Sequence, residues 1–481
     1  MSSSKSWVQP ETADPTWAKP ERMLSGFPWV SAIVLYSLSW GWSLLRPNTF
    51  YWDDWADYFQ KPFLNFYQLR KDAGRSPWNG LLDVFLVSQG AWTVRLATFF
   101  FFMIVGFFLF ETIRKASILS RDELRLAVLV FLIAPVNHAR ISLVVFQYTV
   151  SNFLFFLAWL LLLKNKGQIY YFLSVIIFFL SFATHSFLFF FLLPFVSFVW
   201  LHRLHLKNLR QVSLLHFQLV LLAILPALYI LFRALFWPPT KIWQSDQEPT
   251  SAGVVTGLWL VVLGLLFLGV IGYRYKTKRM THRGVVLLVA GFAVTALALF
   301  PYFAAERYVG YAGRPAIVTV FEFRADWRSR HQLLMPLGLA LGVVGLNELL
   351  KQRFKNMFFG VVLALSVGLN MFWGSQYFLM SHKQEQLVEL FKTTKDKVEI
   401  ASVEDKTLRF NGRESTFRGY EWSGFMTLAG ISTDRPGCEA LPTGSALTLK
   451  SNASYLKALA TRDLDLYFEV KPCSEVLAKD G

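Results

Sequence analysis

The stretch YWDDWADY, residues 51–58, follows closely on the apolar run PWVSAIVLYSLSWGWSLL, residues 28–45. The apolar run is close to the roughly 20 residues that a helix needs to cross a bilayer. The stretch after it sets the carboxylates of Asp53, Asp54 and Asp57 among aromatic side chains. Such carboxylates add no apolar surface, and drawing them into the membrane would cost insertion energy. We therefore expect these acids to have a function, and we expect the rest of the chain to hold them at a membrane face.

The composition predicts a polytopic α-helical membrane protein. Hydrophobic residues make up 54% of the 481 residues and charged residues 17%, compared with roughly 25% charged residues in soluble domains. The net charge is +16, but many basic residues lie in short loops between apolar runs, which is the positive-inside pattern. A nucleic-acid-binding protein would instead cluster them on a soluble face, so no nucleic-acid partner is expected.

The apolar runs predict eleven transmembrane helices. The predicted spans are 28–45, 92–113, two within 126–163, 169–183, 187–201, 214–236, 254–273, 285–302, 333–350 and 357–380. Lys5, Lys19 and Arg22 precede the first span and place the N-terminus in the cytoplasm. A break at Pro135 divides residues 126–163 into two spans, with a single kinked helix as the alternative. Because the number of spans is odd, the C-terminus lies outside.

This topology divides the chain into three regions. They are a cytoplasmic segment (1–27), a transmembrane domain (28–380) and an external, periplasmic or extracellular domain (381–481). The transmembrane domain has two long external loops, 46–91 and 303–331. Within the first loop, apolar residues at helical spacing predict amphipathic helices on the membrane surface over 54–69 and 79–87.

The C-terminal region differs from the rest of the chain in composition. It loses the long apolar runs and contains short β-prone stretches at 397–403 and 465–470. This pattern predicts a small α/β or α+β domain. Both cysteines, Cys438 and Cys473, fall within it. Two cysteines in an external domain suggest a disulfide.

Positive charge in a predicted external loop opposes the insertion bias and needs a reason. The loop 303–331 ends in His331 and carries Arg307, Arg314, Arg324, Arg328 and Arg330. A bound anion is one reason, because the planar guanidinium donates two parallel hydrogen bonds to phosphate. We predict that Arg330 and His331, with Arg328, bind a lipid-borne phosphate at the mouth of the tenth span. The alternative is pairing with acids of the same loop or with lipid headgroups.

Other polar residues lie at predicted external helix ends at a similar depth, namely His138, Arg140 and His185. With Asp57 and Trp52 of the first loop, they would line one external cavity if the fold brings them together, and Arg140 would then be a further phosphate ligand. Taken singly, each is more typical of a satisfied polar residue at the membrane interface. HExxH and CxxC metal motifs, a Gly-x-Ser-x-Gly elbow and a phosphate-binding glycine-rich loop are absent from the sequence.

The pair Asp53-Asp54 is predicted to supply a general base. A neighbouring like charge and partial desolvation by Trp52 and Trp55 would raise the pKa of one carboxyl towards the range in which it accepts a proton. The pair is also a candidate ligand for a hard divalent cation such as Mg²⁺ or Mn²⁺. The alternative is that Asp54 and Asp57 polarise the start of a surface helix.

The overall pattern resembles the GT-C class of integral-membrane glycosyltransferases. The shared features are a cytoplasmic N-terminus, one span and a long external loop opening with an acidic pair, then about a dozen spans and an external C-terminal domain. In topology the resemblance covers the whole chain. In motif it covers only Asp53-Asp54 and, more loosely, Trp327-Arg328-Ser329-Arg330-His331-Gln332. Many members have Asp-Glu where this chain has Asp-Asp, so the identity of the base stays open.

The resemblance implies a sugar donor on a polyprenyl phosphate or diphosphate, in the plasma (inner) membrane of a bacterium. One acid would take the proton of an acceptor hydroxyl on a glycan, lipid or protein, and the external arginines would stabilise the leaving phosphate. One alternative is a surface-polysaccharide ligase or polymerase that depends on external Arg and His. A further alternative is a transporter or flippase for lipid-linked sugars, which would place ionisable residues near mid-span.

Overall fold

The computed structural model describes most of the predicted transmembrane region and short parts of the C-terminal region. The described residues are 26–52, 54–55, 82, 85–116, 119–164, 167–206, 213–238, 282–304, 327–394, 419–430, 445–449 and 468–472. The helices are α1 (Trp29–Trp40), α2 (Ala91–Ala116), α3 (Arg121–Ile133), α4 (Phe146–Lys164), α5 (Gln168–Ser181), α6 (Ser186–Phe190), α7 (Leu192–Leu206), α8 (Ser213–Phe236), α9 (His282–Ala304), α10 (Met335–Leu349), α11 (Gln352–Thr394) and α12 (Gly419–Leu428).

Several of these helices are long and apolar, which indicates a multi-pass membrane protein. Within the described ranges, five are long and apolar enough to cross a membrane: Ala91–Ala116, Leu143–Lys164, Leu215–Phe236, Arg283–Pro301 and Gln352–Glu389. A shorter helix, α5, shows that apolar side chains also cover the outer faces. Its Tyr171 and Phe178 are buried, whereas its Ile169 and Ile176 are exposed. Apolar side chains on both faces are expected of a helix that packs on protein on one side and lipid on the other.

The centre of the fold is the segment from α3 to the first half of α4. Every residue from 126 to 152 is buried. The helix α3 contacts α1, α2, α10 and α11, so its apolar side chains are covered on all sides. At its start Ser120 and Glu123 form a capping box, each side chain bonding to the other residue's backbone N–H. The capping box fixes the point at which α3 begins.

The predicted break within 126–163 is confirmed. Helix α3 ends at Ile133 and α4 begins at Phe146, so the segment forms two helices rather than one kinked helix. Pro135 cannot continue a helix, and Asn137 adopts a left-handed φ of 57°. Between the helices lie two 3₁₀ turns, His138–Ile141 and Leu143–Val145.

Other sequence predictions differ from the structure in extent or fall outside it. Helix α11 contains 43 residues, about 65 Å of helix, and continues through the predicted end of the last span. The predicted span 254–273, nearly all of the surface helix 54–69 and both cysteines lie outside the described residues. The strands β1 (Ser445–Leu449) and β2 (Phe468–Pro472) pair antiparallel, with Ser445 opposite Pro472. β2 overlaps the predicted β-prone stretch 465–470.

Helices α9 and α10 pack closely through glycines. A Cβ atom added to Gly291 would lie 2.5 Å from the backbone N of Gly342, and one added to Gly338 would lie 2.2 Å from Oγ1 of Thr295. Small residues of this kind let two membrane helices approach until their backbones touch. The segment that leads into α10 is placed by this contact.

Gly291→Ala is therefore expected to destabilise the protein by about 1–3 kcal/mol, because the backbone of α10 must move to accommodate the methyl group. Gly342→Ala is the matched control, since its added Cβ meets nothing within 4 Å. Thermal unfolding of both variants in detergent measures the difference. Equal unfolding midpoints would contradict the close packing of α9 on α10.

Candidate functional site

Three separate segments meet at one end of the helices. They are the Asp54 segment (residues 49–55), the central loop between α3 and α4 (residues 134–145) and the Arg330 segment before α10 (residues 327–334). Ser142 of the central loop donates a hydrogen bond of 2.6 Å to Asp54. On its other side the loop donates from the backbone of Ala139 to Oγ of Ser329 and from the backbone of Asn137 to Oε1 of Gln332, each over 2.8 Å. The central loop thus joins the predicted acidic segment to the predicted basic segment.

Asp54 lies at the centre of this junction and has no exposed surface. Its Oδ1 accepts from the hydroxyl of Ser142 and from the backbone N–H of Val144 over 3.0 Å, and its Oδ2 accepts from the backbone N–H of Tyr51 over 3.0 Å. These donors occupy three of the roughly four acceptor positions of a carboxylate. The arrangement ties the first loop to the central loop. Three acceptor positions of the carboxylate are therefore taken by N–H and O–H donors and are not available to a metal ion.

Burial raises the pKa of Asp54 to about 6, although the Ser142 hydrogen bond, the nearby Arg95 cation and the backbone N–H donors oppose the rise. Between pH 4 and pH 6 the folded protein therefore keeps a proton that the unfolded chain, with its ordinary pKa of 3.8, has released. The stability that Asp54 contributes is fully present below this window. It is lost as the pH rises through about 6.

Wild-type protein should accordingly lose about 2.4 kcal/mol of unfolding free energy from this one group between pH 4 and pH 7. Asp54→Asn removes the titration, so its unfolding midpoint should change less over the same range. Asp122→Asn, at a side chain that is 95% exposed, is the control and should keep the wild-type dependence. The measurement is thermal unfolding in detergent at several pH values. Parallel curves for wild type and Asp54→Asn would contradict the buried titration.

Arg95 holds the Asp54 segment from the side of α2. The residue is 3% exposed, its Nε donates over 2.8 Å to the carbonyl of Pro47, and its Nη2 donates to the carbonyl of Thr49. Its guanidinium lies 5.0 Å from the ring centre of Tyr51. Arg95 is not among the site residues predicted from the sequence. A lone arginine inside an apolar span was the available signal, because such residues are costly and usually serve a purpose.

The end of α11 and the helix α12 hold the same segment from the other side. The hydroxyls of Thr49 and Ser381 lie 2.6 Å apart, and Nε2 of Gln384 donates over 3.0 Å to the carbonyl of Phe50. The ring of Trp55 meets that of Phe425 edge-on at 4.9 Å. The Asp54 segment is therefore fixed by elements that are distant in sequence.

Arg140 of the central loop is enclosed by aromatic rings. Its guanidinium carbon lies 3.3 Å from the ring centre of Trp40, 3.9 Å from that of Phe102 and 5.8 Å from that of Tyr36. The residue is 4% exposed, and its Nη2 has no hydrogen-bond partner within the described part of the chain. Burial lowers the pKa of Arg140 to about 10, so the side chain remains a cation at neutral pH. A buried cation with unused donors is suited to an anionic ligand.

His138 is held as a neutral imidazole. Burial and the neighbouring Arg140 cation lower its pKa to about 3. Asn370 donates its amide N–H to the carbonyl of Ile133, so its Oδ1 is the acceptor facing Nε2 of His138 at 3.1 Å. Nε2 therefore carries the hydrogen. Nδ1 has a lone pair without a partner among the described residues, which makes it a hydrogen-bond acceptor but, with this pKa, a poor general base.

The remaining predicted site residues are placed as follows. Arg330 is buried, and the ring of His331 meets that of Tyr148 edge-on at 5.4 Å, beside the central loop. His185 lies at the turn between α5 and α6, with its ring 6.3 Å from that of Tyr229. Asp53, Asp57 and the side chain of Arg328 lie outside the described residues, as does the pair Cys438 and Cys473.

The backbone is strained beside the predicted acidic pair. Trp52 has a φ of 52°, a left-handed conformation that is rare for a bulky side chain. Within the described ranges, Trp52 and Asn137 are the non-glycine residues with positive φ, and both belong to the joined segments. Strain of this kind tends to occur where a structure holds a residue in a functional orientation.

Among the described residues, no three His, Cys, Asp or Glu side chains cluster as a metal site. Comparison of the chain with protein-family models, with curated proteins and with solved structures gives no match.

Proposed function

We propose that this protein is a glycosyltransferase that moves a sugar from a polyprenyl phosphate or diphosphate to a glycan, lipid or protein acceptor of the cell envelope. The observation that carries the proposal is the junction of the Asp54 segment with the central loop and the Arg330 segment. It places an acidic turn and buried guanidinium groups at one end of the membrane helices. This is the combination expected for removing a proton from a hydroxyl and stabilising a leaving phosphate.

In this proposal the two adjacent acids have different roles. Asp54 is a positioning residue, because its carboxylate is enclosed and hydrogen-bonded. Asp53 is the base. It takes the proton of the acceptor hydroxyl while that oxygen bonds to the anomeric carbon of the donor sugar. Asp53 stands in sequence between Trp52, whose backbone is strained, and the anchored Asp54, and this adjacency supports its choice as the base.

The bond from the anomeric carbon to the phosphate oxygen breaks in the same step, and its electron pair stays on the phosphate. Arg140 and Arg330, with His331 and Arg328, are the proposed ligands of this phosphate. The unused Nη2 donor of Arg140 supports the assignment, since a guanidinium binds phosphate through paired donors. No step of this proposal depends on a divalent cation, and hydrogen-bond donors fill three acceptor positions of the Asp54 carboxylate.

A polysaccharide ligase or polymerase with the same class of donor is a second candidate. The burial of Asp54 favours it, as does the neutral His138, whose Nδ1 lone pair is available to a sugar or phosphate hydroxyl. In that reaction Arg and His groups would position the two substrates, and neither acid would accept the proton. Replacement of Asp53 separates the two candidates.

The donor class is tested with purified protein in liposomes and a panel of synthetic polyprenyl-linked sugars. Mass spectrometry should detect consumption of one donor and release of its polyprenyl phosphate. Arg330→Gln should lower that rate by about 10²-fold, the scale of losing one donor to a developing charge. Arg353→Gln, at an exposed residue on the first turn of α11, should leave it unchanged. Wild-type turnover by Arg330→Gln, or no consumption of any polyprenyl-linked sugar, would contradict the proposal.

A further inference from the structure

A cleft of about 880 Å³ opens at the end of the helices opposite the three joined segments. It is lined by the chain entering α1, by the first turns of α3 and by the turn from α10 into α11. Pockets of roughly 300–1,000 Å³ hold ligands of small-molecule size. The proposed reaction makes no use of this cleft.

The lining changes from polar to apolar along the helix axes. Ser120 and Gln352 mark the helix ends, whereas Leu129 and Phe359 lie deeper along α3 and α11. From Ser120 to Leu129 the helix rises by about 13 Å. The apolar wall also includes Val30, whose side chain is 78% exposed on the outer face of α1. The cleft is therefore continuous with the surface that faces the hydrocarbon core, as a site for an amphiphile requires.

The polar rim carries charges of both signs in nearly equal number. Its cations are Arg125 and Lys355, and its acids are Asp122, Glu123 and Glu348. Glu123 is neutralised by an ion pair with Arg283, which does not line the cleft. Two cations and two acids remain. A balanced rim favours a zwitterionic headgroup over an anionic one, because a net anion would gain no overall attraction.

The positions of these charges indicate which headgroup fits. Nζ of Lys355 lies 2.8 Å from Glu348, and the Lys355 side chain is 19% exposed. Asp122 is 95% exposed and lies 3.8 Å from the Arg125 guanidinium, a distance too long for a good hydrogen bond. The Asp122 carboxylate is thus available to a donor. A primary ammonium group offers three N–H donors, whereas a quaternary ammonium group offers none.

We propose that the cleft binds one phospholipid with a primary ammonium headgroup, such as phosphatidylethanolamine. Its phosphate contacts Arg125 and Lys355, its ammonium contacts Asp122, and its acyl chains run along the apolar wall towards Val30. Such a lipid would join the start of α1 to α3 and α11. The site is separate from the proposed transfer reaction, and a test of one proposal does not decide the other.

The test uses full-length protein depleted of lipid in detergent and titrated in native mass spectrometry. Phosphatidylethanolamine, phosphatidylcholine and phosphatidylglycerol with identical acyl chains are the probes. One molecule of phosphatidylethanolamine should bind, roughly tenfold more tightly than either other lipid, which is the scale of one charge-assisted hydrogen bond. Asp122→Asn should remove the preference over phosphatidylcholine, and Arg125→Ala with Lys355→Ala should weaken binding of all three lipids.

Lys351→Ala with Arg353→Ala is the matched control. It removes the same charge from the same end of α11 at exposed positions outside the cleft lining, and it should bind like wild type. Equal binding of phosphatidylethanolamine and phosphatidylcholine by wild-type protein would overturn the proposal, as would a preference for phosphatidylglycerol. Wild-type binding by the Arg125→Ala/Lys355→Ala variant would do the same. If lipid bound only to a variant that lacks residues 2–24, the cleft would be assigned to that segment. This result would also overturn the proposal.

Discussion

Asp53→Asn should lower the rate of sugar transfer by about 10²–10⁴-fold, the usual contribution of a positioned general base. The amide has nearly the same shape as the carboxylate but cannot take the proton of the acceptor hydroxyl. Protein yield and unfolding midpoint should stay close to wild type. The measurements are initial rates with the active polyprenyl-linked donor, together with thermal unfolding of the same preparations. Transfer at the wild-type rate would remove Asp53 as the base and favour the ligase or polymerase candidate.

Asp54→Asn provides the comparison that separates catalysis from positioning. The amide keeps one oxygen acceptor, so its NH2 group must face either the N–H of Tyr51 or the donors of Ser142 and Val144, all of which need an acceptor. Each hydrogen bond to a charged group that is lost costs about 1.5–3 kcal/mol. This variant should therefore lose both stability and activity at neutral pH. A stable and inactive Asp54→Asn protein would instead identify Asp54 as the reacting acid.

Arg140→Met should lower the rate of donor consumption by about 10²-fold or more, without destabilising the protein. Within the described part of the chain Nη2 of Arg140 has no hydrogen-bond partner, and the buried cation contacts the rings of Trp40 and Phe102. Cation–π contacts contribute about 2 kcal/mol when desolvated, and an apolar residue avoids the cost of burying charge. The unfolding midpoint of Arg140→Met should equal or exceed that of wild type.

Arg95→Met is the matched substitution at a second buried arginine. Arg95 donates to the carbonyls of Pro47 and Thr49, so its loss leaves buried acceptors without partners at about 1–3 kcal/mol each. That variant should be clearly less stable than wild type. A large loss of stability in Arg140→Met, similar to that of Arg95→Met, would show that Arg140 has a structural role. The phosphate assignment would then be withdrawn.

Much of the helical architecture follows from local sequence. The apolar runs predict helices close to those observed, for example Met335–Leu349 against the predicted 333–350. The break between α3 and α4 follows from Pro135. These features are predictable because helix formation and helix termination depend on residues within a few positions of one another. Helix α11 extends beyond the predicted span 357–380, because its last turns are polar and do not belong to the apolar run.

The candidate site could be predicted only as a set of residue types. The sequence indicated that acids near residue 53 and basic residues near 140 and 330 need a functional reason. Only the tertiary structure brings Asp54 to Ser142, 88 residues away, and Ala139 to Ser329, 190 residues away. The role of Arg95 also depends on the path of residues 47–51 past α2.

By itself, then, the sequence determined that this is a helical chain with membrane-spanning runs and charged residues at their ends. The tertiary structure alone decided that Asp54 is enclosed and anchored, that Arg140 is a caged cation and that the opposite end of the bundle carries a charge-balanced cleft. The physical reason is that a polar group's burial and its hydrogen-bond partners are set by packing between distant segments. Hydropathy and charge are properties of the residues themselves, so they can be read from the chain before it folds.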